Sequence, residues 1–316
     1  MSDEANGVGG GTDTGTGNGG GIVLGPNRYG KAEVRLVRVT RDAARHELDD
    51  LNVTSQLHGD FAAAHLEGDN AHVVATDTQK NTIFAFARDG VGAPEAFLLR
   101  LAEHFTGGFD WVTGGRWLAE RYSWERITTD GEPHDHAFVR AGQEVRTAAV
   151  VVDGEARHVL GGLKDLTVMK TTGSGFEGFP RDRYTTLQET ADRILATSVA
   201  VRWRFAADAR PDYDALYARV RARLLASFAE GYSPALQATL YEMGRAVLER
   251  EAELDEIRFS MPNRHHFAVD LAPFGLDNPN EVFFAADRPY GLIEASVTRE
   301  GVEPAPAAWE GVGGFC

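Results

Sequence analysis

Hydrophobic positions change their period along the chain, and each change marks an element. Over residues 51–58, Leu51, Val53, Ser55 and Leu57 fall on one side of a two-residue alternation, which predicts a strand. A companion strand is predicted over 32–40, and Arg41-Asp42-Ala43-Ala44-Arg45 turns the pair into a hairpin. The period then lengthens. Thr76-Asp77-Thr78-Gln79 has the form of a capping box ahead of Ile83, Phe84 and Phe86, so a helix is expected to start at Thr76. Pro94 opens a second helix whose Phe97, Leu98, Leu101 and Phe105 share one face. Alternation returns over 109–127 around Trp111, Trp117 and Trp124, as a long strand.

The second half repeats this order. Residues 145–152 and 157–160 are strand-like about the turn Asp153-Gly154, and Val199, Val201, Trp203 and Phe205 alternate over a further strand. Tyr213, Leu216, Val220, Leu224 and Phe228 have helical spacing; Ser233-Pro234 then caps a helix with Leu236, Leu240, Met243 and Val247 inward. Strands over 256–271 and 281–298 close the chain. The pattern predicts an α+β fold that runs strands, helix pair, strands twice over, in units 22–142 and 143–300, with antiparallel sheets and helices on one face. The opposite face then needs a cover, for which a partner subunit is the natural candidate. Residues 1–21, rich in Gly, Thr, Asn and Asp, are expected to be a disordered tail, and 301–316 a C-terminal tail.

Composition narrows the function. A net charge of −15 over 316 residues argues against a nucleic-acid partner, which calls for basic stripes. No apolar run approaches the roughly 20 residues of a membrane span, and no signal peptide is recognisable, so a soluble, cytoplasmic protein is expected. The single cysteine, Cys316, allows neither an internal disulfide nor a cysteine zinc site. Gly15–Gly20 formally matches a dinucleotide fingerprint but lacks the strand before it and the helix after it.

Candidate chemistry gathers in a few short segments. Phe176 and Arg193, in the glycine-flanked stretch 174–197, combine an aromatic face with a planar donor fork, which suits a flat anion; core packing and a solvated arginine are the alternative. Lys31 follows Tyr29-Gly30 where a strand emerges from a loop, either partly desolvated and usable as a base or a solvated edge lysine. Thr76 is either a plain cap or one side of an anion site at a helix start. His265 and His266 in Met261-Pro262-Asn263-Arg264-His265-His266-Phe267 would point to opposite faces of a strand, one as acid/base and the other structural. His134 and His136 could share a zinc ion but lack an evident third ligand.

Taken together, Tyr29-Gly30-Lys31, Ala75-Thr76-Asp77, Lys80-Asn81-Thr82, Phe176-Glu177-Gly178-Phe179, Arg181-Asp182, Tyr184-Thr185-Thr186-Leu187, Asp192-Arg193-Ile194-Leu195, Gln237-Ala238-Thr239 and Pro262-Asn263-Arg264-His265 resemble the urate oxidase (uricase) family, in its actinobacterial form, over about residues 22–300. The resemblance implies the tunnelling fold, two tandem β-β-α-α-β-β units per chain, with dimers closing a barrel and two barrels stacking into a homotetramer whose active sites lie at subunit interfaces. It implies oxidation of urate by O2 and water to 5-hydroxyisourate and hydrogen peroxide, with no metal and no organic cofactor. Phe176 would stack on the purine while Arg193, Gln237 and the Leu236 amide hold one edge and Thr76 and Asp77 of a neighbouring chain the other. Lys31, Thr76 and His265 would relay protons, and Asn263 with Thr76 would hold O2 or water. The Gly-Phe-Cys ending lacks a Ser-Lys-Leu-type peroxisomal address, in keeping with a cytoplasmic expectation. A zinc-dependent purine or pterin hydrolase using His134 and His136, and a purine binder without turnover, are the competing readings.

Overall fold

The structure, a computed structural model, describes residues 21–286 and 288–311. The tail expected over 1–21, with its glycine motif, lies outside these apart from Gly21, as does Cys316. In chain order the elements are β1 (Tyr29–Thr40), β2 (Glu47–Gly59), α1 (Ala62–Leu66), α2 (Thr76–Arg88), α3 (Pro94–Gly108), β3 (Val112–Thr129) and β4 (Glu132–Asp153). They continue as β5 (Ala156–Lys170), β6 (Leu195–Phe205), α4 (Tyr213–Ala229), α5 (Leu236–Leu248), β7 (Leu254–Asn263), β8 (His266–Ala268), β9 (Phe283–Ala285), β10 (Gly291–Thr298) and α6 (Pro306–Trp309). One antiparallel sheet of eight strands runs β1-β2-β3-β4-β5-β6-β7-β10, while β8 and β9 pair apart from it. The α+β class and the doubled β-β-α-α-β-β order follow the hydrophobic pattern.

Strand alternation sorts each side chain to a face. Leu51, Val53 and Leu57 of β2, with Trp117 of β3 and Val150 of β4, turn toward α2 and α3 and make the first core. Val199, Val201 and Trp203 of β6, with Ile257 and Phe259 of β7, make the second core under α4 and α5. Each core is built around a fully buried tryptophan, Trp117 or Trp203. Burying a large apolar side chain contributes on the order of 1.5–3 kcal/mol, so these rows supply much of the stability.

A buried charge cluster joins the two helical layers. Arg146 on β4 donates to Glu95 of α3 at 2.7 Å, pairs with Asp214 of α4 and lies 4.5 Å from the Tyr217 ring. Burial pushes the Glu95 carboxyl up and Arg146 pulls it back.

β1 and β5, which open the two sets of strands and helices, carry the same irregularity; the second set thus begins at β5, after residue 143, where the sequence pattern put the join. Register shifts between Lys31 and Val34 in β1 and between Leu163 and Leu166 in β5, and Glu33 and Asp165 take φ of 58° and 61° there. The match sets Lys31 opposite Leu163, a fully buried core residue, in the repeat.

Several expected boundaries move. Thr76 is the first helical residue and Ala75, at φ −51° and ψ 136°, is the N-cap, with no side chain closing the helix start. The capping-box reading of Thr76 therefore fails, because the extended residue that precedes the helix is one position earlier. The 256–271 strand breaks at 264–265, where β7 ends and the chain departs from the sheet; 281–298 divides into β9 and β10. Residues 301–311 cross the helix-free face of the sheet: Trp309 and Ala308 pack on Ala149, Val151 and Leu160. Trp309 Nε1 donates to Glu256 at 3.1 Å, and Glu310 pairs with Arg28.

Candidate functional site

Six of the nine predicted site residues meet. Phe176, Arg193, Leu236, Gln237, Asn263 and His265 line one cavity of about 260 Å³, with Leu187, Thr190, His266 and Phe267 completing much of its wall. Two backbone crossings build it from the irregular stretch before β6. Phe176 N–H donates to the Thr190 carbonyl at 2.7 Å, and Arg193 N–H donates to that of Ser174 at 2.8 Å. The Phe179 ring stacks on Phe176 at 5.0 Å, and the Arg193 guanidinium carbon lies 5.3 Å from the Phe176 ring centre. Burial pulls the Arg193 pKa below its usual range, partly offset by Tyr232, and its Nε is buried with no hydrogen-bond partner. An arginine with an unused donor in a half-buried wall favours an acceptor-bearing occupant.

Leu236 and Gln237 are the first two residues of α5. Its N-cap, Ala235, supplies no side-chain acceptor to the helix start. Asn263 ends β7, paired with Thr197 and Gly291. His265 sits in the break that follows, and its carbonyl accepts from Ala286 N–H at 2.9 Å. Because this residue is outside a strand, alternation does not separate the histidines: His265 and His266 line the same cavity, contrary to the expectation of opposite faces. Burial holds the His265 pKa below its ordinary value, and the positive charges of Arg193 and His266 lower it further.

The other three residues gather elsewhere. Lys31 is registered against Ser55, which faces α2, and the buried Ser55 hydroxyl donates to Gln79 of α2 at 3.0 Å. Thr76 and Asp77 begin that helix. The Asp77 carboxyl is held below the usual range by Lys80 first, then by Asn81, with Lys31 contributing. Gly30 allows β1 this close to β2, since a Cβ there would stand 1.9 Å from the Ser55 carbonyl oxygen. Tyr29 ties the segment to the approach to α2 through Val74, at 3.1 Å.

These clusters occupy opposite margins of the sheet, one on the edge strand β1 and the other beside β7 and the edge strand β10. At roughly 4.8 Å per strand, most of the sheet's width, on the order of 30 Å, separates them. His134 and His136 lie together near His46, with rings 4.6 Å and 5.8 Å apart. Among the described residues no group of three or more His, Cys, Asp or Glu is arranged to hold a metal ion, and no helix is long and apolar enough to cross a membrane. Sequence reasoning did not single out Leu187, Thr190 or Phe267 as site residues; the aromatic Phe267 beside His265 was the available signal.

The fold defines a class, a tandem tunnelling-fold protein. Comparison with known proteins makes it specific. The uricase family model matches residues 27–151 and 159–294. The Arthrobacter globiformis uricase is 63% identical over 295 residues, covering 93% of this chain and 96% of its own length. The Danio rerio uricase is 37% identical over 279 residues, covering 86% and 93%. The crystal structure of the Arthrobacter globiformis uricase superposes with a TM-score of 0.88 over 92% of this chain and 99% of its own. The chain belongs to the uricase family, and it is an oxidoreductase of that family.

Proposed function

We propose that the protein oxidises urate with O2 and water to 5-hydroxyisourate and hydrogen peroxide, using no metal or organic cofactor. The observation that carries this reading is the pairing of Phe176 with Arg193 in a small cavity, an aromatic ring beside a guanidinium with a free donor. A flat, electron-rich anion suits both: its ring stacks on Phe176 while its acceptors meet Arg193, Gln237 and the Leu236 amide. Deprotonated urate is reducing enough to pass an electron to O2 directly. The protein must then hold the anion, accept its proton and keep oxygen at the ring.

Lys31, Thr76 and His265 form the proton relay, and Asn263 with Thr76 holds O2 or water. Thr76 and Asp77 come from a neighbouring subunit. The distance between the two clusters within one chain supports this sharing: setting the β1 margin of one copy against the β10 margin of another brings them together. In this arrangement the units 22–142 and 143–300 each supply one margin, dimers close a barrel and two barrels form a homotetramer in the cytoplasm.

The test is an assay on purified, chelator-treated protein. Urate absorbance is expected to fall with equimolar O2 uptake and peroxide release. Urate binding without turnover would make the protein a binder, and activity that is lost when zinc is removed and returns when zinc is restored would overturn the cofactor-free mechanism.

A further inference from the structure

The two pocket walls, Phe176 and Arg193, stand on loop segments outside the eight-stranded sheet, so the sheet does not set their spacing. Backbone bonds between 174–176 and 190–193 join the two walls directly, and a third segment braces them. Before α5 the chain passes beside 173–176: Gly175 N–H donates to the Ser233 carbonyl and Ser233 N–H to that of Gly173, each at 2.9 Å. From this segment Tyr232 reaches over Gly175 and its hydroxyl donates to the Ala191 carbonyl at 3.0 Å. The passage is close. A Cβ on Gly175 would stand 2.0 Å from the Tyr232 hydroxyl oxygen and 2.9 Å from the Thr190 carbonyl oxygen.

The tyrosine is 56% exposed, so its ring contributes little to a core; the engaged part is the hydroxyl. That group touches the Phe176 segment at Gly175 and is bonded to the backbone two residues before Arg193. The geometry points to Tyr232 as a positioning residue for substrate binding, one that fixes the Arg193 wall relative to the Phe176 wall without lining the cavity. This inference rests on the function proposed above.

Tyr232→Phe keeps the ring and removes the bond. It is expected to raise KM for urate about fivefold while kcat stays within about twofold, as for a loss felt in binding rather than in the chemical step. Gly175→Ala is expected to raise KM as well, because its methyl displaces the phenol. Combining the two should bring KM below that of Gly175→Ala alone, since the clashing hydroxyl is gone. Hydrogen exchange provides a readout that needs no substrate: the Arg193 amide, bonded to Ser174, should exchange faster in Tyr232→Phe. An unchanged KM together with unchanged exchange at Arg193 would overturn the proposal. So would equal losses in KM and kcat accompanied by a lowered unfolding midpoint, the mark of general loosening. Failure of the wild-type protein to oxidise urate would sink the functional reading, and exchange at Arg193 would still decide whether Tyr232 holds that wall.

Discussion

His265 shows how much of a residue's chemistry comes from its neighbours. Burial, Arg193 and His266 all favour the neutral ring, so its folded pKa lies below the ordinary 6.5. The unfolded chain therefore takes the proton first as pH falls. This residue's contribution to stability is intact above 6.5 and is lost as pH drops through the folded value. A neutral imidazole remains available as a proton acceptor throughout the near-neutral range. An NMR titration of the His265 ring is expected to give a midpoint under 6.5, and Arg193→Gln should move it upward by removing a positive charge. A wild-type midpoint at or above 6.5 would contradict this account. At this scale the sequence was informative where a residue's type carried the meaning, as with Phe176 and Arg193. It misled where meaning lay in backbone angles. Thr76 has the right neighbours for a cap, but the extended position belongs to Ala75.

Among the elements, α3 and α4 come from different units and meet on one strand through Arg146. Its partners differ in consequence: Glu95 is buried, whereas Asp214 is half exposed. Arg146→Leu leaves the Glu95 carboxylate without its counter-charge and is expected to cost about 3–5 kcal/mol, read from denaturant unfolding at fixed protein concentration. Adding Glu95→Leu should recover most of that loss, and a double variant no more stable than Arg146→Leu would argue against a paired charge. Glu95 carries no sequence signal for this, since acidic residues are common in a first helical turn. The order of elements was legible because period two and helical spacing differ so clearly. The break at 264–265 was not: β7 and β8 flank it with little change of pattern, and it is set by the Ala286 contact and by β10 ending its pairing at Asn263.

For the whole molecule, the separation of the two residue clusters yields the sharpest test of the proposed subunit sharing. Thr76→Ala and Arg193→Ala chains should each be nearly inactive alone. Co-assembled from an equal mixture, half of the two-fold pairs would be mixed, and each would contain one site with both halves intact. About 25% of wild-type activity is expected to return. No recovery in verified mixed assemblies would place all nine residues' work within single chains. Neither the two margins nor their distance could be read from the sequence, because both depend on strand order across the full sheet. Family resemblance names the nine residues as a set; their division into six and three emerges from the topology.

The shared bulge in β1 and β5 bears on what two units in one chain allow. A single unit repeated by symmetry would have to place the same side chain at every equivalent point, whatever its surroundings. Two copies fused in one chain escape that constraint. At the matched position one copy keeps Leu163 sealed in its core, and the other exposes part of Lys31 near the start of α2. The same backbone irregularity thus carries a sealed apolar side chain in one unit and a part-exposed lysine in the other, a division that independent units in one chain permit and an exact repeat does not.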